Sequence, residues 1–193
     1  MLSKKLALVG LAGVATLVLG ACGADNDTSS DSTSTSETTE VSSTSSSAEV
    51  VSTASISDDP AVLEAALSAD GNWLIAATSD VTFESDVTVA GEFHDKGEES
   101  GDIYRKLALY SQDADRNVTA EYTITVPTLT VESENFNIVH GTVKGDIVVK
   151  ANGFVLDGAT VEGNVVFETQ EYQDSADVTK NDSSVTGTVT VSE

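Results

Sequence analysis

The chain has one thiol, Cys22, and few other side chains whose type and spacing suit chemistry. A thiolate is a nucleophile and a metal ligand, but a lone cysteine makes neither an intrachain disulfide nor a thiolate cage. Asp113, Asp115 and Asn117 stand at alternate positions, a spacing that lets oxygens converge on a hard cation such as calcium. The calcium-loop pattern then asks for glycine at Val118 and glutamate at Ile124, which this chain lacks, so a solvated turn competes with a metal site. His94 beside Asp95 has the makings of a base held by a carboxylate, although a polar surface role competes in the glycine-rich stretch 91–101. His94, Lys96, Tyr104, Arg105, Tyr110 and Arg116 together form a candidate binding surface. The 32 acidic residues make chance carboxylate pairs plentiful, so no acid–base pair can be assigned. No Gly-x-Ser-x-Gly, His-Glu-x-x-His or phosphate-cradling glycine loop occurs. The sequence therefore points to no cofactor and no catalytic residue, and a non-enzymatic role is expected.

Cys22 is placed by what precedes it. Lys4 and Lys5 open the chain, an uncharged run follows from Leu6 to Gly20, and Leu19-Gly20-Ala21 leads into Cys22. A basic start, a short apolar stretch and small residues at the end are the marks of a secretory signal peptide. The stretch from Leu6 to Ala21 is diluted by glycines and falls short of the roughly 20 apolar residues that a permanent span needs. Residues 19–22 resemble the lipobox of bacterial prolipoproteins. That resemblance implies removal of residues 1–21, a diacylglycerol on the Cys22 thiol, and anchorage to the outer face of the cell membrane. The partner it implies is the membrane itself, reached through the lipid.

Without residues 1–21 the chain keeps seven Lys and Arg against 32 Asp and Glu, a formal charge of −25. Such a surface repels phosphate backbones, which excludes nucleic acid as a partner. It equally repels anionic headgroups, so attachment has to come from acyl chains rather than from a basic face. Strong acidity also keeps an exported domain soluble.

The elements follow in order. Sixteen of the twenty residues from Thr28 to Ser47 are Ser or Thr, so residues 22–57 read as the lipidated cysteine and a disordered linker. As a flexible coil it would reach roughly 30–35 Å. The folded domain is expected over 58–193. Asp59-Pro60 suits a helix start, Val62, Leu63, Ala66 and Leu67 share a face, and Asp70-Gly71 supplies a stop; this is the one helix expected. From Asn72 onward the pattern is β, with Trp73–Ala77, Val81/Phe83 and Val87/Val89 as the first strands.

Apolar pairs two residues apart recur as Leu129/Val131, Ile147/Val149, Val165/Phe167 and Val189/Val191, at intervals of 18, 18 and 24. Val143, Val161 and Val185 march with them, as do Gly145, Gly163 and Gly187, and Phe136, Phe154 and Val178. Stepping back 18 from Phe136 and Val143 reaches Val118 and Thr125, a fading fourth copy. The longer last interval fits a loop from Gln170 to Asp177. A repeat of about 20 residues between tight turns suits an all-β fold, a short β-solenoid whose interior stacks Val, Ile and Phe from one turn to the next. The arrangement resembles the right-handed parallel β-helix proteins, which implies that the helix at 60–69 caps the open end. A β-sandwich is the alternative. A flanking insertion is expected at about 91–121, where the pattern breaks. The resulting reading is a membrane-anchored lipoprotein whose solenoid is a structural or binding module, with cell-wall glycan or an envelope protein as its candidate partner. The alternatives are a carbohydrate-active β-helix and a cation-binding surface protein.

Overall fold

The computed structural model describes residues 54–192. The leader, Cys22 and the linker up to residue 53 lie outside the described residues. The last four residues of the expected linker do not behave as one: Ala54–Ser57 form strand β1, which pairs in parallel with the next strand. The domain thus begins before Asp58, because the backbone of 54–57 finds a ladder to join.

Helix α1 (Pro60–Leu67) starts as its sequence dictates. The Asp59 carboxylate accepts the Ala61 N–H at 2.8 Å, and Pro60 occupies the first turn. Leu63, Ala66 and Leu67 are buried. Gly71 passes directly beneath the helix end, where any Cβ would collide with the Ala66 carbonyl.

The chain then makes five similar passes. The first holds β2 (Leu74–Ala77), β3 (Val81–Thr82) and β4 (Val87–Val89). The second holds β5 (Arg105–Ala108), an antiparallel hairpin of β6 (Tyr110–Gln112) and β7 (Val118–Glu121), and the long β8 (Thr123–Val131). The third holds β9 (Phe136–Val139) and β10 (Thr142–Val149); the fourth holds β11 (Val155–Asp157), β12 (Thr160–Glu162) and β13 (Val165–Phe167). The fifth begins with a short helix, α2 (Gln170–Ser175), and continues as β14 (Asp177–Lys180), β15 (Ser184–Val185) and β16 (Val189–Val191). This second helix corrects the expectation of a plain loop there: the Thr169 hydroxyl caps it by accepting the Tyr172 N–H.

Strands β1, β2, β5, β9, β11 and β14 form a six-stranded sheet in that order. The remaining strands outside the hairpin form an eight-stranded sheet, and pairing is parallel throughout both. The fold is mostly β with parallel sheets, and neither sheet closes on itself. A β-sandwich of antiparallel strands does not fit this pairing.

The repeat read from the sequence is the pairing register. Leu129, Ile147, Val165 and Val189 are successive partners, as are Val143, Val161 and Val185. Leu129, Ile147 and Val165 are fully buried, whereas Val189 is 37% exposed, since among the described residues no strand pairs with β16 on its far side. Gly145, Gly163 and Gly187 stack so closely that a Cβ on either later glycine would strike the carbonyl of the one before. Beside them Asp146 Oδ1 accepts the backbone and side-chain N–H of Asn164, and Asn164 Oδ1 accepts the N–H and O–H of Thr188.

Three expectations fail. Val178 does not align with Phe154, because Val155 pairs with Asp177 and the register shifts before Asp157 pairs with Lys180. Val118 and Thr125 are no fourth copy: the partners of Phe136 and Val143 are Arg105 and Ile124. The hairpin displaces the first, and one extra residue in β8 near Pro127 displaces the second. The expected insertion at 91–121 is two insertions, since β5 between them belongs to the six-stranded sheet.

Candidate functional site

Strand alternation decides which side chains leave the core. Ile75, Leu107, Ile138 and Leu156 point inward and are essentially inaccessible. Their neighbours therefore form two outward rows across the six-stranded sheet. Leu74, Lys106, Asn137 and Val155 make one row, and Ala76, Ala108, Val139 and Asp157 make the other. Ala108, Asn137 and Val139 face outward yet are at least nine-tenths buried. The two insertions are what cover them.

The first insertion, residues 91–104, folds back on itself. Asp95 N–H donates to Asp102 O, the His94 ring meets Gly101 O at 2.9 Å, and Tyr104 N–H donates to Phe93 O. Asn135 Nδ2 ties it to the sheet by donating to Ile103 O at 3.0 Å. The second is the β6–β7 hairpin. Tyr110 lies edge-on to His140, and Lys106 Nζ donates to the Tyr110 hydroxyl at 3.1 Å. His140 Nδ1 also approaches Glu121 at 3.2 Å, which pins the hairpin to the end of β9.

A cleft of about 460 Å³ opens between the first insertion and the sheet, lined by Asp95, Asp102, Tyr104, Asn135, Asn137 and Val155 among others. Tyr104 packs against Trp73 with ring centroids 6.2 Å apart. A smaller cleft of about 190 Å³ lies over Leu74, Ala76 and Ala108, beside Lys106, Tyr110 and Gln112. Burial pushes the Tyr104 hydroxyl above its ordinary pKa, and the charges of Asp95, Asp157 and Tyr110 push it the same way.

The candidate binding residues divide sharply. Tyr104 and Tyr110 do reach one face, on its two walls. His94 and Lys96 belong to the first insertion away from the cleft floor, with Lys96 beside Asp95 at 3.4 Å. Arg116 sits at the hairpin tip with φ of 67°. Arg105 is no surface residue at all; it is fully buried. Its guanidinium donates to the carbonyls of Ala66, Ser68, Asn72 and Ala90 and to Ser133 Oγ, and lies 4.1 Å from the centre of the Phe93 ring. Burial lowers its pKa to about 10, which leaves it charged at neutral pH. It ties α1, β2 and the first insertion into the stack.

Asp113, Asp115 and Asn117 form the exposed hairpin turn. Asp113 Oδ1 accepts the N–H of Asp115 and of Asn117, and Oδ2 accepts Asn117 Nδ2. Those bonds, led by the Asn117 side chain, hold the Asp113 carboxyl below its ordinary pKa. Both Asp113 oxygens already close the turn. Among the described residues no three His, Cys, Asp or Glu side chains converge as a metal site. Asn135, Asn137, Asp102 and Lys106 were missed by the sequence reading, because nothing in one Asn within Phe136-Asn-Ile-Val139 signals a cleft floor. Only strand parity, once the register is known, could have found it.

Comparison with models of protein families, with curated proteins and with solved structures gives no match.

Proposed function

We propose that this protein is a lipid-anchored lipoprotein at the outer face of a bacterial membrane. In this reading its domain is a short β-solenoid that serves as a binding module. The lipobox-like Leu19–Cys22 carries the anchor, and the parallel pairing at intervals of 18 and 24 supports the solenoid. Among the described residues no helix is long and apolar enough to cross a membrane. The observation that carries the binding role is the outer face of the six-stranded sheet. Two insertions wall it, each brings a tyrosine, and Ala108, Asn137 and Val139 on its floor are withdrawn from water.

Two experiments test the reading. Labelling with a clickable fatty acid should mark the wild type and leave Cys22→Ala unlabelled; equal labelling removes the anchor. Purified Cys22→Ala chain, which carries no lipid, should sediment with isolated envelope material, and adding Tyr104→Ala and Tyr110→Ala should abolish this. Release of new reducing or unsaturated ends would instead favour the carbohydrate-active alternative.

A further inference from the structure

Lys106 differs from every other lysine among the described residues. Lys96, Lys144, Lys150 and Lys180 each lie within 3.7 Å of a carboxylate, whereas Lys106 has no carboxylate partner there. In a chain with 32 acidic residues that is an unusual place for a cation. Its one hydrogen bond goes to the Tyr110 hydroxyl oxygen at 3.1 Å, and its Nζ lies 5.2 Å from the centre of the same ring. An ammonium has three donors, so two remain. The Tyr110 hydroxyl accepts from Lys106 and keeps its own proton to donate, with no acceptor for it among the described residues. His140 lies edge-on to the ring at 4.8 Å and is itself held by Glu121, so the tyrosine is positioned from behind.

Both residues line the smaller cleft, whose floor is Leu74, Ala76 and Ala108. The apolar strip runs on to Ile56, the β1 partner of Ala76, which is 67% exposed. Lys106 and Tyr110 thus stand at the β5 side of the strip and Ile56 at the β1 side. Two strand spacings separate them, about 10 Å, which an acyl chain of about eight carbons covers. The floor strands are paired on both edges, β2 with β1 and β5, and β5 with β2 and β9. Their ladder leaves no row of backbone groups to pair with a peptide. About 190 Å³ is small for a ligand site, so the occupant is small. A cation would be repelled by Lys106, and a plain hydrocarbon would leave both donors unmet.

Resting on the reading of this face as a binding surface, we infer that the smaller cleft takes a short alkanoic acid. Its carboxylate accepts from Lys106 Nζ and Tyr110 Oη, and its chain lies over Leu74, Ala76 and Ala108 toward Ile56. Charge-assisted hydrogen bonds fix the head, and burial of methylenes makes affinity depend on chain length.

The test is calorimetric and NMR titration of the full-length Cys22→Ala chain, which brings no acyl group of its own, with hexanoate, octanoate and the neutral octanamide. Octanoate should bind about tenfold or more tighter than octanamide. Each methylene added to hexanoate should tighten binding about two- to fourfold. Octanoate should also shift the methyl signals of Ala76 and Ala108. Lys106→Gln should weaken octanoate about tenfold and leave octanamide unchanged. Tyr110→Phe keeps the ring and should weaken octanoate about threefold. Lys150→Gln, just after β10, removes as much charge elsewhere and should change it less than about twofold. Equal binding of octanoate and octanamide overturns the inference, as does equal weakening by Lys106→Gln and Lys150→Gln, or no binding of octanoate. The peptide carboxylate N-acetyl-leucyl-leucine should bind more weakly than octanoate, and the reverse order overturns the acyl assignment. If envelope sedimentation still depends on Tyr104 and Tyr110 in those cases, the binding face stands and only the ligand class falls. Octanoate binding without sedimentation would keep the ligand class and remove the envelope role.

Discussion

From Phe136 to Val191 the interior is apolar side chain on apolar side chain, repeated at fixed intervals. Phe136, Phe154 and Phe167 fill it together with Ile147, Val165 and their partners. Before Phe136 the same stack is crossed by a guanidinium, and the pairing offsets grow to 43 between Val81 and Ile124 and 42 between Val87 and Leu129. The later passes need no special group, since each strand but one finds its partner 18 or 24 residues on, and β14 lies 22 and 23 beyond its partners in β11. The earlier passes carry two insertions and a helix, and their loose carbonyls converge on Arg105. Regular stacking makes the scaffold, and irregularity makes the walled face.

The comparison breaks most severely at Val165. It is fully buried between Ile147 and Val189, so Val165→Asp would bury an unpaired carboxylate and cost at least about 4–5 kcal/mol. Val166 points the other way and is partly exposed, so Val166→Asp should cost within about 1 kcal/mol. Thermal melts of the two variants give the contrast directly. Equal losses would mean that this sheet is buried on both faces.

Arg105 tests the irregular half. Arg105→Ala takes the donor from five acceptors, two of them in buried bonds, and opens a cavity, for a loss of about 3–5 kcal/mol. Arg105→Lys keeps the charge but cannot reach acceptors on so many segments, and should recover less than half of that loss. Chemical denaturation measures both. A lysine variant as stable as wild type would mean that charge, not the fork of donors, holds the first passes.

Gly145 joins the halves. Its φ is 141°, and a Cβ there would strike the Val126 carbonyl, so Gly145→Ala is expected to cost about 2–3 kcal/mol. Gly153, with φ of 74°, faces the flexible Asn135 side chain instead, and its alanine variant should cost about 1–2 kcal/mol. A reversed order in denaturant midpoints would mean that β8 can shift away from β10.

These positions also explain what was legible. The register of Leu129, Ile147, Val165 and Val189 was readable because nothing intervenes there except α2, which lengthens one interval and leaves the apolar pairs intact. Val178 misled because a register shift inside one strand leaves no mark in composition. Arg105 misled more seriously. In Asp102–Tyr110 it looks like one charge of a weakly alternating strand, and its burial depends on carbonyls from residues 66, 68, 72 and 90 that only the tertiary fold assembles. Tyr104 and Tyr110 could be nominated by type alone, but the floor they enclose required knowing that β5 and β9 are neighbours.

The smallest expected effect lies where the fourth pass meets the fifth. The Asp157 carboxylate accepts Lys180 Nζ at 2.8 Å and Asn181 Nδ2 at 2.6 Å. Burial raises its pKa, but the hydrogen bonds from Lys180 and Asn181, with the Lys180 and His140 charges, outweigh that, and the carboxyl lies below its ordinary value. The folded state thus binds this proton less readily than the unfolded chain. Its contribution is fully present above the unfolded value near 4, and it is lost as pH falls through the folded value. Because Lys180 is half exposed, water screens the pair and its worth is about 1 kcal/mol or less. Asp157→Asn should therefore lower the melting temperature slightly at neutral pH and flatten its decline below about pH 4. Melting curves of wild type and variant, followed from neutral down to about pH 2, make the comparison. If the two declines are parallel, the pair contributes nothing, and the Asp146–Asn164–Thr188 ladder with the Val stack holds the last pass alone.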